Sequence, residues 1–313
     1  MRLLYFLFIL IFIFPFNKVK SQDSLDYKVL SKKILASDSA NKKLIWSSHL
    51  ITKLTKLLEE SENITPLDST GLLFELISDN DDFQIITWAI EFNDKWEYYG
   101  LLKSYNQIKK KYQVFNLLPT KFIISKSEKG LFDHDNWPAG VYLKLIENKH
   151  NNRKYYTFLG WLAPEDQTSY KFIEVMTLSK SGKPFFGKTN YFKRNRNYNK
   201  RKLFIYSRQS NFLLDYGEYV YTKRKWNRKK KKYDILEYSD DLIVFDHLVS
   251  KFPNMGDLPE LMVPAGNLID AFKFENGKWT FISDIDARNI KRKKPEKESL
   301  KLDLFDESGN QSK

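Results

Sequence analysis

The chain has 313 residues, with 52 Lys and Arg against 39 Asp and Glu for a formal net charge of +13, and it contains no cysteine. Disulfides, thiolate nucleophiles, Cys-ligated zinc, iron–sulfur clusters and a lipidated cysteine are therefore excluded. A mean hydropathy of −0.52 excludes a chain made mostly of membrane-spanning helices, and the length is enough for one large domain or two ordinary ones with a real core.

At the N-terminus, Arg2 precedes an unbroken apolar run from Leu3 to Phe14, which Pro15 ends. Val19-Lys20-Ser21 then offers an aliphatic residue at −3 and a small one at −1. This is the layout of a secretory signal peptide, and it predicts residues 1–21 as a leader cleaved before Gln22. An uncleaved anchor is the alternative, but the run falls short of the ~20 residues that a span needs. The expectation is an exported chain, periplasmic or secreted, and an exported chain without cysteine fits a bacterial envelope.

Residues 22–66 are expected to be helical. Leu25, Val29, Leu30, Ile34 and Leu35 fall near helical spacing, Ser37-Asp38-Ser39 makes a polar break, and Trp46, Leu50, Leu54 and Leu57, flanked by Ile51 and Leu58, form one apolar stripe. From about residue 72 the period shortens towards 2, and residues 67–287 are expected to form a β body. Phe83–Phe92, a turn at Asn93-Asp94 and Lys95–Lys103 predict a hairpin. Further strands are predicted at Tyr112–Leu118, Gly140–Ile146, Tyr155–Trp161, Lys171–Leu178, Leu203–Tyr206, Phe212–Tyr221, Tyr233–Tyr238 and Leu242–Phe245.

The strongest local signal is Asn276-Gly277, which suits a type I′ turn because both positions need positive φ. Counting outward pairs Glu275 with Lys278, Phe274 with Trp279 and Phe272 with Phe281, so the aromatic pairs share one face. Strands in sequence-adjacent hairpins, without helical crossovers, predict an α+β fold: N-terminal helices followed by a mainly antiparallel β meander, either a sandwich or a curled sheet, with a propeller-like array as the alternative. Residues 288–313 are polar and charged and read as a basic, largely disordered tail.

Five strings, in this order, carry a resemblance: Asp82-Phe83-Gln84-Ile85-Ile86-Thr87-Trp88, Tyr155-Tyr156-Thr157-Phe158-Leu159-Gly160-Trp161, Lys171-Phe172-Ile173-Glu174-Val175-Met176-Thr177-Leu178, Ile243-Val244-Phe245-Asp246-His247-Leu248 and Asn276-Gly277-Lys278-Trp279. They resemble a family of uncharacterised secreted proteins of Bacteroidota over roughly residues 40–290. The resemblance implies compartment and shared fold but no chemistry. Against it, this chain carries long basic inserts around 193–202 and 223–232.

Those inserts dominate the charge pattern. Between Lys188 and Lys232 there are sixteen basic residues against Asp215 and Glu218, a net +14 that exceeds the charge of the whole chain. The anion-binding candidates are Lys193, Arg194, Arg196, Lys200, Arg201 and Lys202 in the first insert, and Lys223, Arg224, Lys225, Arg228, Lys229, Lys230, Lys231 and Lys232 in the second. If Leu203–Tyr206 and Phe212–Tyr221 pair as a hairpin, both inserts leave its open end side by side, with Tyr191, Tyr198 and Trp226 between them. Clustered cations with aromatics suit an anionic surface. Lipid headgroups or lipopolysaccharide rank ahead of nucleic acid, for which specific binding is not expected. The plain alternative is a pair of solvated lysine-rich loops.

Catalytic candidates are weaker. Asp246 and His247 could act as an acid/base pair, although adjacent strand residues point to opposite faces. Glu174 and Glu165-Asp166 are carboxylates without a readable partner. Asp284-Ile285-Asp286 with Asn289 lacks the glycine and distal glutamate of an EF-hand loop, and Asp133-His134-Asp135 lacks a third well-spaced ligand, so no metal site and no cofactor is assigned. The signatures of zinc proteases, serine hydrolases, Walker loops and dinucleotide folds are missing from the sequence. The reading is a monomeric, non-catalytic binding protein of the envelope. The alternative is a hydrolase of an envelope polymer, which needs a pocket where Asp246, His247, Glu174 or Asp284 converge.

Overall fold

The structure, a computed structural model, describes residues 26–93, 95–120, 128–256 and 258–285, with the backbone alone for Lys223, Arg224, Lys225 and Pro253. The expected leader and tail lie outside the described residues, as do Asp94 of the first hairpin turn and Asp286 and Asn289. Among the described residues no helix is long and apolar enough to cross a membrane.

Two helices open the fold, α1 (Tyr27–Leu35) and α2 (Ala40–Glu60). The polar break between them serves as a cap: the Ser39 hydroxyl accepts the Lys42 N–H at the start of α2. The buried stripe of α2 runs Ser47, Leu50, Leu54 and Leu58, so its last member is Leu58, and Leu57 lies at the exposed margin.

Strands β1 (Phe74–Ile77), β2 (Phe83–Phe92), β3 (Lys95–Asn106) and β4 (Lys111–Leu117) form a first antiparallel sheet in chain order. β5 (Phe132–Asp133), β6 (Val141–His150), β7 (Arg153–Glu165), β8 (Thr168–Leu178) and β9 (Pro184–Phe186) form a second. The remaining strands are β10 (Phe192–Arg194), β11 (Asn197–Asn199), β12 (Arg201–Ser207), β13 (Leu214–Asn227), β14 (Lys232–Ser250), β15 (Met262–Glu275) and β16 (Lys278–Ile285). All but β12 make a third sheet in the order β11-β10-β16-β15-β14-β13, whereas β12 pairs with β8.

The sheets are open and stacked, and period-2 alternation decides which core each strand feeds. In β2, Ile86, Trp88 and Ile90 face the helices, while Phe83 and Ile85 face the second sheet. In β8, Phe172 and Met176 pack towards the first sheet, while Ile173 and Val175 pack towards the third. The second sheet is thus buried on both faces, which is why β8 reads as a nearly continuous apolar run. The α+β fold with antiparallel strands is as expected, and the strands stack as a layered sandwich without closing into a barrel.

The register expected from Asn276-Gly277 is observed, with Phe272 opposite Phe281, Phe274 opposite Trp279 and Glu275 opposite Lys278. Asn276 has φ 51° and Gly277 φ 75°, as a type I′ turn requires. Two other expectations are corrected. Tyr233–Tyr238 and Leu242–Phe245 belong to one strand, β14; Asp240 between them accepts from Tyr221 Oη and pairs with Lys273 instead of opening a turn. The hairpin between Leu203–Tyr206 and Phe212–Tyr221 does not form, because β12 lies in the second sheet and β13 pairs with β14 in the third.

Candidate functional site

That correction separates the two basic inserts. β10 and β11 lie at one edge of the third sheet and β13 at the other. β10 runs parallel to β16 from Trp279 towards Ile285, whereas the β13–β14 hairpin extends past the Asn276-Gly277 end. The inserts therefore leave opposite edges and opposite ends of the sheet, and they do not form one patch.

The second insert is the tip of a two-stranded arm. Ladder pairing between β14 and β15 ends at Leu242 opposite Lys273, but β13 and β14 stay paired out to Asn227 opposite Lys232. Up to Tyr221 the arm is anchored, since Tyr219 and Tyr221 pack with Leu242 and Val244 on the outer face of the sheet. From Thr222 opposite Glu237 outward it is a free ribbon of six register pairs, about 20 Å long at the rise of a strand.

Its turn is built for its charge. The Asn227 side-chain oxygen accepts the N–H groups of Lys229 and Lys230, both at 3.1 Å, and its amide donates to Asp234 at 2.6 Å. This is an Asx turn. It holds Arg228, Lys229, Lys230, Lys231 and Lys232 exposed together, and among the described residues their one ion pair is a 3.6 Å contact from Lys230 to Asp234. Behind the cations stand Trp226 and Tyr233, opposite each other with ring centroids 5.0 Å apart. They share a face with Ile235, which is 68% exposed. For Lys223, Arg224 and Lys225 the backbone register places them on β13 opposite Leu236, Ile235 and Asp234.

The first insert is taken up by the fold only at its end, at Arg201 and Lys202. Lys193, Arg194 and Arg196 are exposed on the small β10–β11 hairpin, and Lys200 is half-buried at its end. Lys202 pairs with Glu128 at 3.0 Å. Arg201, expected to bind anions, is almost wholly buried: it lies opposite Glu174 in the β12–β8 register, 3.6 Å from that carboxylate, and donates to the Ala139 carbonyl at 3.2 Å. Buried in this way, Arg201 is not part of the exposed basic surface.

Of the catalytic candidates, Asp246 and His247 line one cleft, whereas Glu174 and Asp284 are not part of its lining. Glu174 faces the core between the first two sheets, where Tyr142 donates to it at 2.7 Å, and burial pushes its carboxyl up despite Arg201. Asp246 accepts the Leu213 N–H at 2.6 Å. Asp284 is exposed and contributes its backbone N–H to Asp270 at 3.1 Å. His247 meets a residue that sequence reasoning passed over: its Nδ1 lies 2.7 Å from the buried Asp270 carboxylate. The ladder shifts register at both residues, between Asp246 and Leu248 and between Ile269 and Ala271. An irregularity of this kind has no composition cue in a strand.

Asp133, His134 and Asp135 bring donor atoms within 4.8 Å of one another, but Lys183 Nζ already sits 2.8 Å from Asp133. Burial raises the Asp133 carboxyl, but Lys183, the Asp135 N–H and His134 together hold it below its usual range. The cluster is thus met by a lysine. Glu165 receives the Tyr170 hydroxyl at 3.4 Å. Compared with protein-family models, curated proteins and solved structures, the chain shows no match.

Proposed function

We propose that this is an exported, non-catalytic binding protein whose β13–β14 arm engages an anionic, phosphate-bearing lipid surface of the envelope. The observation that carries the reading is the free ribbon with five exposed cations at its turn and the Trp226–Tyr233 pair directly behind them. Each cation near an anionic surface contributes about 1 kcal/mol at modest ionic strength. Tyrosine and tryptophan favour the headgroup level, where one end of the ring is wet and the other is not. Five adjacent like charges repel one another in the free protein, and anionic headgroups relieve that repulsion. The N-terminal segment, read as a signal peptide, supports delivery to such a surface.

The test is flotation of the chain lacking residues 1–21 with vesicles of phosphatidylcholine alone, of phosphatidylcholine with phosphatidylglycerol, and of lipopolysaccharide, at low and high salt. The expected result is salt-sensitive binding to an anionic surface, lost when Lys229, Lys230, Lys231 and Lys232 are changed to Gln. Absence of binding to either anionic surface by the unaltered chain would overturn the reading.

A further inference from the structure

A cleft of about 370 Å³ lies between β12 and the third sheet, and no residue of the arm lines it. Its floor is phenyl rings, among them Phe204, Phe245 and Phe272. Polar and charged side chains make up about half of the lining, Arg194, Asn197, Asn199 and His247 among them.

Two departures from regular pairing build one wall. Opposite His247, β15 bows out over residues 265–268, with Gly266 at φ 75°. One strand further, Ser283 and Asp284 stand against the single Asp270, with Asp284 at φ 49°. Bulges re-aim side chains, and these two bring His247 and Asp270 together. Asp270 is buried, and its two oxygens are taken by His247 Nδ1 and the Asp284 N–H. The carboxylate therefore orients the ring, and Nε2 is the nitrogen left for a ligand.

The other wall carries Arg194. Its guanidinium lies over the Phe281 ring, 4.4 Å from the centroid, and no carboxylate is within ion-pair distance of it among the described residues. Stacking fixes the plane of the fork, which suits two-point contact with a carboxylate or phosphate. The other charged groups already have partners within the fold: Lys202 pairs with Glu128, Asp270 accepts from His247, and Asp246 accepts the Leu213 N–H and interacts with the Lys171 charge. The cleft thus presents one uncommitted cation and one oriented imidazole above an aromatic floor.

We infer that this cleft binds a small organic anion, a carboxylate or phosphate carried on an apolar or aromatic body, with Arg194 holding the anionic head and His247, protonated on both ring nitrogens, donating its Nε2–H to it. The aromatic floor takes the body. The site is independent of the arm.

The test is isothermal titration calorimetry of the chain lacking residues 1–21 with phenyl phosphate, benzoate, inorganic phosphate and phenol. Saturable one-site binding of phenyl phosphate or benzoate is expected, at least tenfold tighter than phenol or inorganic phosphate. Arg194→Gln, at an exposed position, should weaken it at least tenfold, and His247→Gln several-fold. The variant with Gln at 229–232 should bind unchanged, which separates this site from the lipid-binding arm. The inference is overturned if neither aryl anion binds saturably, or if both Arg194→Gln and His247→Gln leave the affinity unaltered.

Discussion

Arg201 and Glu174 face each other across the β12–β8 ladder, with Nε 3.6 Å from Oε1 and side chains only 2% and 1% exposed. Around them Trp137 Nε1 donates to Tyr142 Oη at 2.8 Å, Tyr142 donates to Glu174, and the guanidinium covers the Phe172 ring at 4.3 Å. The pair joins β12 to the second sheet from inside the core.

Removing one member leaves a buried charge uncompensated, which costs about 3–5 kcal/mol. Arg201→Met should therefore lower stability by that order, and Glu174→Gln by less, because the amide oxygen still accepts from Tyr142. The double variant should lose less than the sum, with a coupling of roughly 1–3 kcal/mol in urea unfolding. Additive losses would show that the pair is not coupled.

Lys144 bridges the second and third sheets, 2.8 Å from Asp215 Oδ1 and 2.6 Å from the Tyr216 carbonyl. Partial burial raises the Asp215 carboxyl, but Lys144, the Tyr216 N–H and the Tyr219 hydroxyl together outweigh it, and the net shift is downward from the ordinary 3.8. A depressed carboxyl contributes stability that is present above the unfolded value and lost as pH falls through the folded one. The melting midpoint should thus drop more steeply below about pH 3.8 in the unaltered chain than in Lys144→Gln. Parallel curves would sink this assignment.

Trp279 Nε1 donates to Thr157 Oγ1 at 3.0 Å, and this fully buried bond ties the third sheet to the second. Trp279→Ala should cost about 3–5 kcal/mol through the cavity it leaves. Thr157→Val keeps the volume but strands a buried N–H, at about 1–3 kcal/mol. Denaturant midpoints of the two variants test the order.

Asn227 supports the turn of the arm and touches no core. Asn227→Ala should leave global stability within about 0.5 kcal/mol, yet speed amide exchange in residues 222–237, because local opening there does not expose buried apolar surface. Unchanged exchange would mean that the ladder alone holds the turn.

Some of this was legible beforehand because it is local. Helix α2 was visible in its stripe, although i, i+3 and i+4 spacing alone did not separate Leu57 from Leu58. Tyr233–Tyr238 and Leu242–Phe245 read as two strands because the partners of Asp240 between them, Tyr221 and Lys273, are remote in sequence. The His247–Asp270 contact was invisible for the same reason, compounded by register shifts that sequence pattern does not encode.

The amino-acid sequence by itself determined the two helices, most of the long strands and the turn at Asn276-Gly277, since backbone preference and side-chain period act over a few residues. It also placed five cations on one short turn. Only the tertiary structure decided that β12 leaves its neighbour to join β8, because strand pairing is chosen by which faces can be buried together. That choice took Arg201 into the core, separated the two basic inserts, and left one of them free at the tip of an arm.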